Sequence, residues 1–249
     1  MLRPDPFFLS VVVPAYNEEA RLGATLRRIR EYLESRPYAS EIIVVDDGST
    51  DRTSEVAAEA LRGRDGVRIL RRAENRGKGA SVKEGMLAAA GELILFTDAD
   101  LSTPIEEVEK MLRRIEAGAD IVIGSRALKE SDIQVRQNRL REMMGRTFNV
   151  FVRTCALEGI SDTQCGFKLF KRMAARTVFP DLGTCGFCFD VEALYIARQR
   201  GLRIDQVPVI WRNSPQSRVH IVSSSTRMIW DLLGIRRRHR RLAAKERPL

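Results

Sequence analysis

The stretch LILFTDADLS, residues 93–102, runs four apolar residues toward Asp98 and Asp100, with only Ala99 between the two acids. Carboxylates this close repel each other, and partial burial raises the cost, so the pair needs something positive nearby. An Asp-x-Asp turn at a strand end can hold a divalent cation that bridges a nucleotide pyrophosphate, and hard oxygen donors suit Mg2+ or Mn2+. Such an ion also acts as a Lewis acid that stabilises a departing diphosphate. A solvated turn, or a cap for a helix starting at Pro104, has the same local spelling, so position in the fold has to decide.

Other stretches carry weaker chemistry. In VVDDGSTD, Asp46 and Asp47 follow an apolar run and Gly48 permits a tight turn. An Asp there can accept hydrogen bonds from a base edge or ribose hydroxyls, but a plain turn followed by a cap fits equally well. ENRGKGAS (74–81) is a glycine-punctuated loop whose amides and Lys78 could meet phosphate. It lacks the Walker spacing, and a flexible loop explains it nearly as well. CGFC (185–188) lies too late in the chain for thioredoxin-like chemistry, and Cys155 and Cys165 do not form the second close pair a zinc site needs. Packed free thiols are therefore expected there. With His220 and His239 the only histidines, a His-centred site is poorly supplied.

The elements that must position these residues alternate. FLSVVVP (8–14) reads as a buried strand, and 18–36 as a helix with Leu22, Leu26, Ile29 and Leu33 on one face. EIIVVDD (41–47), GVRIL (66–70), ELILFTD (92–98) and DIVIGS (120–125) read as further strands. Helices fall at 51–61, which Asp51 could cap, at 78–90, and at 104–118 behind Pro104. Continuous β-branched runs between helices predict an α/β fold with a mostly parallel sheet covered on both faces. Ligands bind such sheets at the carboxyl ends of the strands. Three of those ends are polar here, PAYNE (14–18), DDGS (46–49) and TDAD (97–100), and that convergence favours a site. Beyond Ser125 the reading is a helix over 139–155, a short strand GFKLFKR (166–172), a helix over 189–201 ended by Gly201, and a last strand RIDQVPVIW (203–211). With no internal repeat or low-complexity linker, a single domain is expected.

The chain has 249 residues and a net charge of +9, with 44% hydrophobic and 30% charged residues, ordinary for a globular protein with a sizeable core. No apolar run is long enough to span a bilayer, and MLRPDPFF shows no signal-peptide core, so a non-secreted protein in a reducing compartment is expected. The positive charge is local. Residues 227–249 carry +6 and residues 125–155 carry +4, leaving −1 for the rest. That pattern points to recognition of something anionic. The segment MIWDLLGIRRRHRR (228–241) sets Met228, Ile229, Trp230, Leu232, Leu233 and Ile235 beside an arginine cluster, as in helices that dock on anionic lipid, although a core-packed helix with a solvated basic end also fits. A nucleic-acid-binding role is the non-enzymatic alternative. It is disfavoured because interleaved aromatics and any recognised module are missing.

VVVPAYNEE, IIVVDDGSTD, NRGKGAS and FTDADLS, in this order, resemble family 2 glycosyltransferases of the GT-A fold. GSR (124–126), DTQCGFKLF (162–170), FDVEALYIA (189–197) and VPVIWRNSPQSRV (207–219) narrow the resemblance to the dolichyl-phosphate β-glucosyltransferase branch, with mannose synthases as its nearest sister. The resemblance covers nearly the whole chain. It implies an inverting transfer of a hexose, glucose from UDP-glucose, onto a polyprenyl or dolichyl phosphate, at the cytosolic face of a membrane. A GDP-mannose-dependent mannose synthase and a transferase with a saccharide acceptor are the alternatives; no nucleic-acid partner is expected. It implies a catalytic domain over 1–226, its donor half about 1–125 and its acceptor half about 126–226, followed by a basic amphipathic tail over 227–249.

Site roles are likewise implied by the resemblance. Pro14, Tyr16, Glu18, Val45 and Asp47 would line the nucleotide pocket together with Lys78. Asp98 and Asp100 would hold Mg2+ or Mn2+, and Ala99 would lie against the donor. Arg126 would meet the diphosphate or the acceptor phosphate. Arg212 and Arg218 would close over the phosphates, and Asp162 and Gln164 would face the sugar, with Asp100, Arg126 and Asp162 as the catalytic set. The sequence departs from the pattern in three places. Ser102 stands where mannose synthases often carry a Gln metal ligand, the loop reads QSR rather than GSK, and the N-terminal anchor of eukaryotic members is not expected here.

Overall fold

The computed structural model describes residues 7–135, 157, 159–186, 188–212 and 234–239. The helix expected over 139–155 and the loop bearing Arg218 lie outside the described residues.

Strands β1 (Phe7–Ala15), β2 (Ser40–Asp46), β3 (Val67–Arg71), β4 (Gly91–Thr97), β5 (Ile121–Ser125), β7 (Phe167–Lys171) and β8 (Ile204–Pro208) form one sheet in the order β3-β2-β1-β4-β7-β5-β8. All neighbours are parallel except β7, which runs antiparallel between β4 and β5. Because β7 is reversed, its N-terminal end lies at the edge where β4 and β5 finish. The stretch 162–166, just before β7, is thereby brought beside Asp98 and Arg126.

Alternation along each strand splits the core in two. Val11 and Val13 of β1 face one side with Ile42, Val44 and Leu95, under α1 (Leu22–Glu34). Val12, Ile43, Ile94 and Phe96 face the other, under α3 (Lys78–Ala88) and α6 (Phe189–Gln199). Strands buried on both faces read as unbroken apolar runs, which is why they were legible. Leu22, Leu26, Ile29 and Leu33 are all buried, as the helical period requires. The helix α2 is Thr53–Ala60, and the Asp51 carboxylate accepts the Thr53 N–H at 3.0 Å. A 3-10 turn, Ile105–Glu107, follows Pro104 and leads into α4 (Val108–Glu116).

The sequence reading departs from the structure at two places. The expected strand 203–211 is two strands, because Pro208 has no N–H with which to continue a ladder. Past it, β9 (Ile210–Arg212) pairs in parallel with β6 (Asp132–Val135), an unanticipated strand, in a separate two-stranded sheet. An unanticipated helix, α5 (Arg172–Val178), follows β7 directly with no side-chain cap to announce it. Residues 234–239 form a short helical segment against the body, with Ile235 and His239 buried and Arg236 and Arg237 exposed.

Candidate active site

The carboxyl ends of β1, β2 and β4 deliver Tyr16–Glu18, Asp47–Ser49 and Asp98–Asp100 to one edge of the sheet. At the end of β4 the turn is internally tied. Leu101 N–H reaches the Asp98 carbonyl at 3.1 Å, and Ser102 N–H the Asp100 Oδ1 at 3.0 Å. Leu101 is held at φ +46°, a left-handed conformation that costs a branched side chain on the order of 1 kcal/mol. The Ala99 carbonyl accepts from Thr25 Oγ1 at 2.8 Å, which anchors the turn to α1.

Both acids of the turn meet a cation. Lys78 Nζ lies 2.6 Å from Asp98 Oδ1, and Arg21 Nη1 lies 3.8 Å from Asp100 Oδ2. Arg21 also pairs with Glu18. Burial alone would weaken the Lys78 charge, but Asp98 and Asp190 beside it raise its pKa above the ordinary lysine value. Gly166 completes the wall. A Cβ there would overlap the Asp98 carboxylate, and the Gly166 carbonyl accepts the Asp98 N–H at 3.1 Å.

The two carboxylates fit a hard divalent cation. They are oxygen donors on one turn, partly exposed, and the missing side chain of Gly166 leaves them room. Among the described residues no cluster of three His, Cys, Asp or Glu side chains could hold a metal, so these two carboxylates would not complete its coordination by themselves.

Arg126 and Asp162 form the second charged unit. Asp162 Oδ2 accepts from Arg126 N at 3.0 Å and Nε at 2.6 Å, while Oδ1 accepts from Arg126 Nη2 at 2.9 Å and Gln164 N at 3.1 Å. Asp162 is 1% exposed. Burial would raise its pKa, yet Arg126 holds it down at about 2. Both oxygens are engaged, so the geometry makes Asp162 the holder of Arg126 and leaves it no oxygen turned toward a sugar. The Arg126 guanidinium rests over Trp211 at 5.6 Å, which fixes its other side.

Asp47 is likewise engaged within the protein. It accepts the N–H groups of Arg76 at 3.1 Å and Gly77 at 2.8 Å, and Arg72 Nη1 at 3.1 Å, so it ties the 74–77 loop to the end of β2. Asp46 is buried and receives Ser49 N–H at 2.9 Å and the Ser54 hydroxyl, the turn-forming alternative for that residue. Gly48, at φ +74°, has no room for a side chain against Glu74. Pro14 and Val45 pair across β1 and β2 and are buried, whereas Tyr16 is 41% exposed at the edge. Arg212 sits beside the DADLS turn, its N–H on the Ser102 carbonyl at 2.8 Å and its Nε on Gln134 Oε1 at 2.8 Å.

Sequence reasoning missed the support beneath these charges. Lys168, in the middle of β7, is 2% exposed, and its Nζ meets Asp190 Oδ1 at 2.5 Å and the Cys165 carbonyl at 2.6 Å. Burial raises the Asp190 pKa, an effect that Lys168 and Lys78 oppose. A lysine flanked by Phe167 and Leu169 in an apolar strand was the available signal, since such a charge is rarely buried without a partner. In CGFC both cysteines are free thiols, but only Cys188 is buried; Cys185 is exposed, contrary to the packed pair expected.

The chain matches the family described as Glycosyl transferase family 2 over residues 10–179. It is 39% identical over 244 residues to the human dolichyl-phosphate beta-glucosyltransferase, covering 93% of this chain and 75% of that protein. The Dictyostelium discoideum protein of the same name is 38% identical over 247 residues, covering 94% and 76%. The fold is similar to that of Mycobacterium tuberculosis glucosyl-3-phosphoglycerate synthase, with a TM-score of 0.69 at 22% identity over 92% of this chain and 80% of that one. A further structure of that synthase, with a TM-score of 0.66 at 23% identity over 92% and 80%, was solved with Mn2+, uridine diphosphate and glucosyl-3-phosphoglycerate. The relatives' identity and coverage, with the match over residues 10–179, place this chain in glycosyl transferase family 2.

Proposed function

We propose that this glycosyltransferase moves glucose from UDP-glucose onto dolichyl phosphate or a related polyprenyl phosphate, with inversion at the anomeric carbon. One observation carries the reading: two partly exposed carboxylates, Asp98 and Asp100, project from the end of β4, each facing a cation. The curated relatives named for this reaction support the choice of sugar and acceptor over GDP-mannose or a saccharide acceptor.

Asp98 and Asp100 would hold Mg2+ or Mn2+, which supplies charge neutralisation for the departing diphosphate. Lys78 and Arg21 would add positive charge beside that diphosphate, and Tyr16, Glu18 and the ends of β1 and β2 would shape the nucleoside side. Arg126, aimed by Asp162 and Trp211, would bind phosphate between donor and acceptor. Arg212, with Arg218 from the neighbouring loop, would close over it. A phosphate oxygen of the acceptor forms the new bond to the anomeric carbon as the bond from that carbon to the diphosphate oxygen breaks, and UDP leaves with the electron pair. The acceptor is already anionic near neutral pH, so alignment and electrostatics suffice without a strong general base.

In this reading residues 1–125 handle the donor, 126–226 the acceptor, and the basic tail 227–249 binds an anionic membrane surface on the cytosolic side. No helix among the described residues is long and apolar enough to cross a membrane. The test is direct. The protein is incubated with a panel of nucleotide sugars, Mg2+ or Mn2+ and polyprenyl phosphate, and the lipid product is identified by mass spectrometry. Glucosyl phosphoryl lipid from UDP-glucose supports the reading; transfer only from GDP-mannose, or only to a saccharide, refutes it.

A further inference from the structure

The C-terminal segment is connected to the donor-side charges by an unbroken series of contacts. Glu192 of α6 has a side chain with no exposed surface. Its Oε2 accepts the N–H groups of Gly183 at 3.1 Å and Thr184 at 2.6 Å. Its Oε1 faces Arg238 Nη1 at 2.6 Å and His239 Nε2 at 2.7 Å. Burial would raise the pKa of this carboxyl, but His239, Thr184 and Arg238 hold it below the ordinary glutamate value. The Arg238 guanidinium lies so close over Gly183 that a Cβ there would push it aside.

One residue past Thr184, the Cys185 carbonyl accepts the Gly79 N–H at 2.7 Å. Gly77 and Gly79 both lie so close to this loop that a Cβ on either would overlap a backbone carbonyl, of Cys185 or Thr184. These glycines flank Lys78, the residue that meets Asp98. A loop packed backbone to backbone on both sides of Lys78 cannot shift without moving it.

We propose that Glu192 is a positioning residue. Clasped by Arg238 and His239, it fixes the 183–185 loop against the start of α3 and so sets Lys78 beside Asp98, which couples docking of the C-terminal segment to donor affinity. The proposal rests on the reading of Lys78 and Asp98 as donor-side residues. Glu192 touches no substrate itself. Removing one partner of a buried, fully engaged carboxylate leaves the others poorly satisfied, so the loop and not only the tail responds.

The experiment measures UDP binding in the presence of Mn2+ by calorimetry, with Tm recorded in parallel, for wild type, Glu192→Gln and the double variant Arg238→Ala/His239→Ala. Ile29→Val serves as a destabilised control, since it trims the core on the opposite face of the sheet. UDP affinity is expected to fall at least about fivefold in both clasp variants, within the usual range of coupling between distant sites, and to hold in the control. If Glu192→Gln does not fold, the double variant, whose changes lie in the terminal segment, decides. Unchanged UDP affinity there, with Tm lowered, makes the clasp a purely structural contact and overturns the proposal. Failure of the wild type to bind UDP overturns the site reading and the clasp with it.

Discussion

Asp162→Asn probes whether the buried pair with Arg126 holds the site together. The carboxyl titrates at about 2 in the folded protein against an ordinary 3.8. At 1.36 kcal/mol per unit, the charged form therefore contributes about 2 kcal/mol to stability. A depressed carboxylate stabilises above its unfolded value, so this contribution is complete above pH 4 and disappears as pH falls toward 2. The amide would also turn an N–H toward the Arg126 donors and leave the guanidinium short of a partner, bringing the total at pH 7 to about 3 kcal/mol. In a chain of this size that is a fall in Tm of about 6–12 °C. Urea unfolding of wild type and variant at pH 7, pH 5 and a pH below 4 at which both still fold should show a gap that is constant between the first two and narrower at the last. Transfer should fall about 100-fold or more, because Arg126 is no longer aimed. A gap below about 0.5 kcal/mol at pH 7, or one that does not narrow in acid, would refute the reasoning.

Asp100→Asn should leave thermal unfolding nearly unchanged while reducing transfer by two orders of magnitude or more, and EDTA should do the same to the wild type reversibly; full activity in EDTA would remove the metal from the mechanism. Gly166→Ala should cost about 1–3 kcal/mol and weaken Mn2+ binding measured by calorimetry, because the new methyl displaces the Asp98 carboxylate; unaltered Mn2+ binding would contradict the geometry. Arg236→Ala/Arg237→Ala should weaken binding to anionic vesicles about tenfold at low salt, with the difference fading as salt rises and Tm unaffected, and equal binding by both forms would argue against membrane docking through these residues.

How far the sequence reached depends on what each signal measures. Strand ends converging on one edge follow from parallel topology alone, so Asp98, Asp100 and the ends of β1 and β2 were legible together. The reversed β7 was not, because an apolar run has no direction, and without its reversal nothing places residues 162–166 beside Asp98. Asp47 was legible as a site-edge residue but not in its orientation. Two of its partners, the amides of Arg76 and Gly77, lie about thirty residues away and have no side-chain signature. A carboxylate at a strand end spells the same whether it faces a ribose or its own loop. Asp47→Ala is consequently expected to disturb Lys78 through the loop, so it does not report on nucleoside contacts alone.

The terminal segment shows the same limit from the other side. An amphipathic, arginine-rich stretch states that one face will be buried, without stating by what. Between residues 234 and 239 the answer is the protein itself: Ile235 and His239, one helical turn apart, face inward, and Arg238 reaches Glu192. Arg236 and Arg237 remain exposed. The two readings of the sequence, core-packed helix and lipid-facing helix, are therefore compatible within a single turn, because helical geometry separates the residues that serve each. Deleting residues 236–249 as one block would remove both sets and confound vesicle binding with loss of the Glu192 clasp. Point changes at 236 and 237, set against changes at 238 and 239, separate the surface from the scaffold.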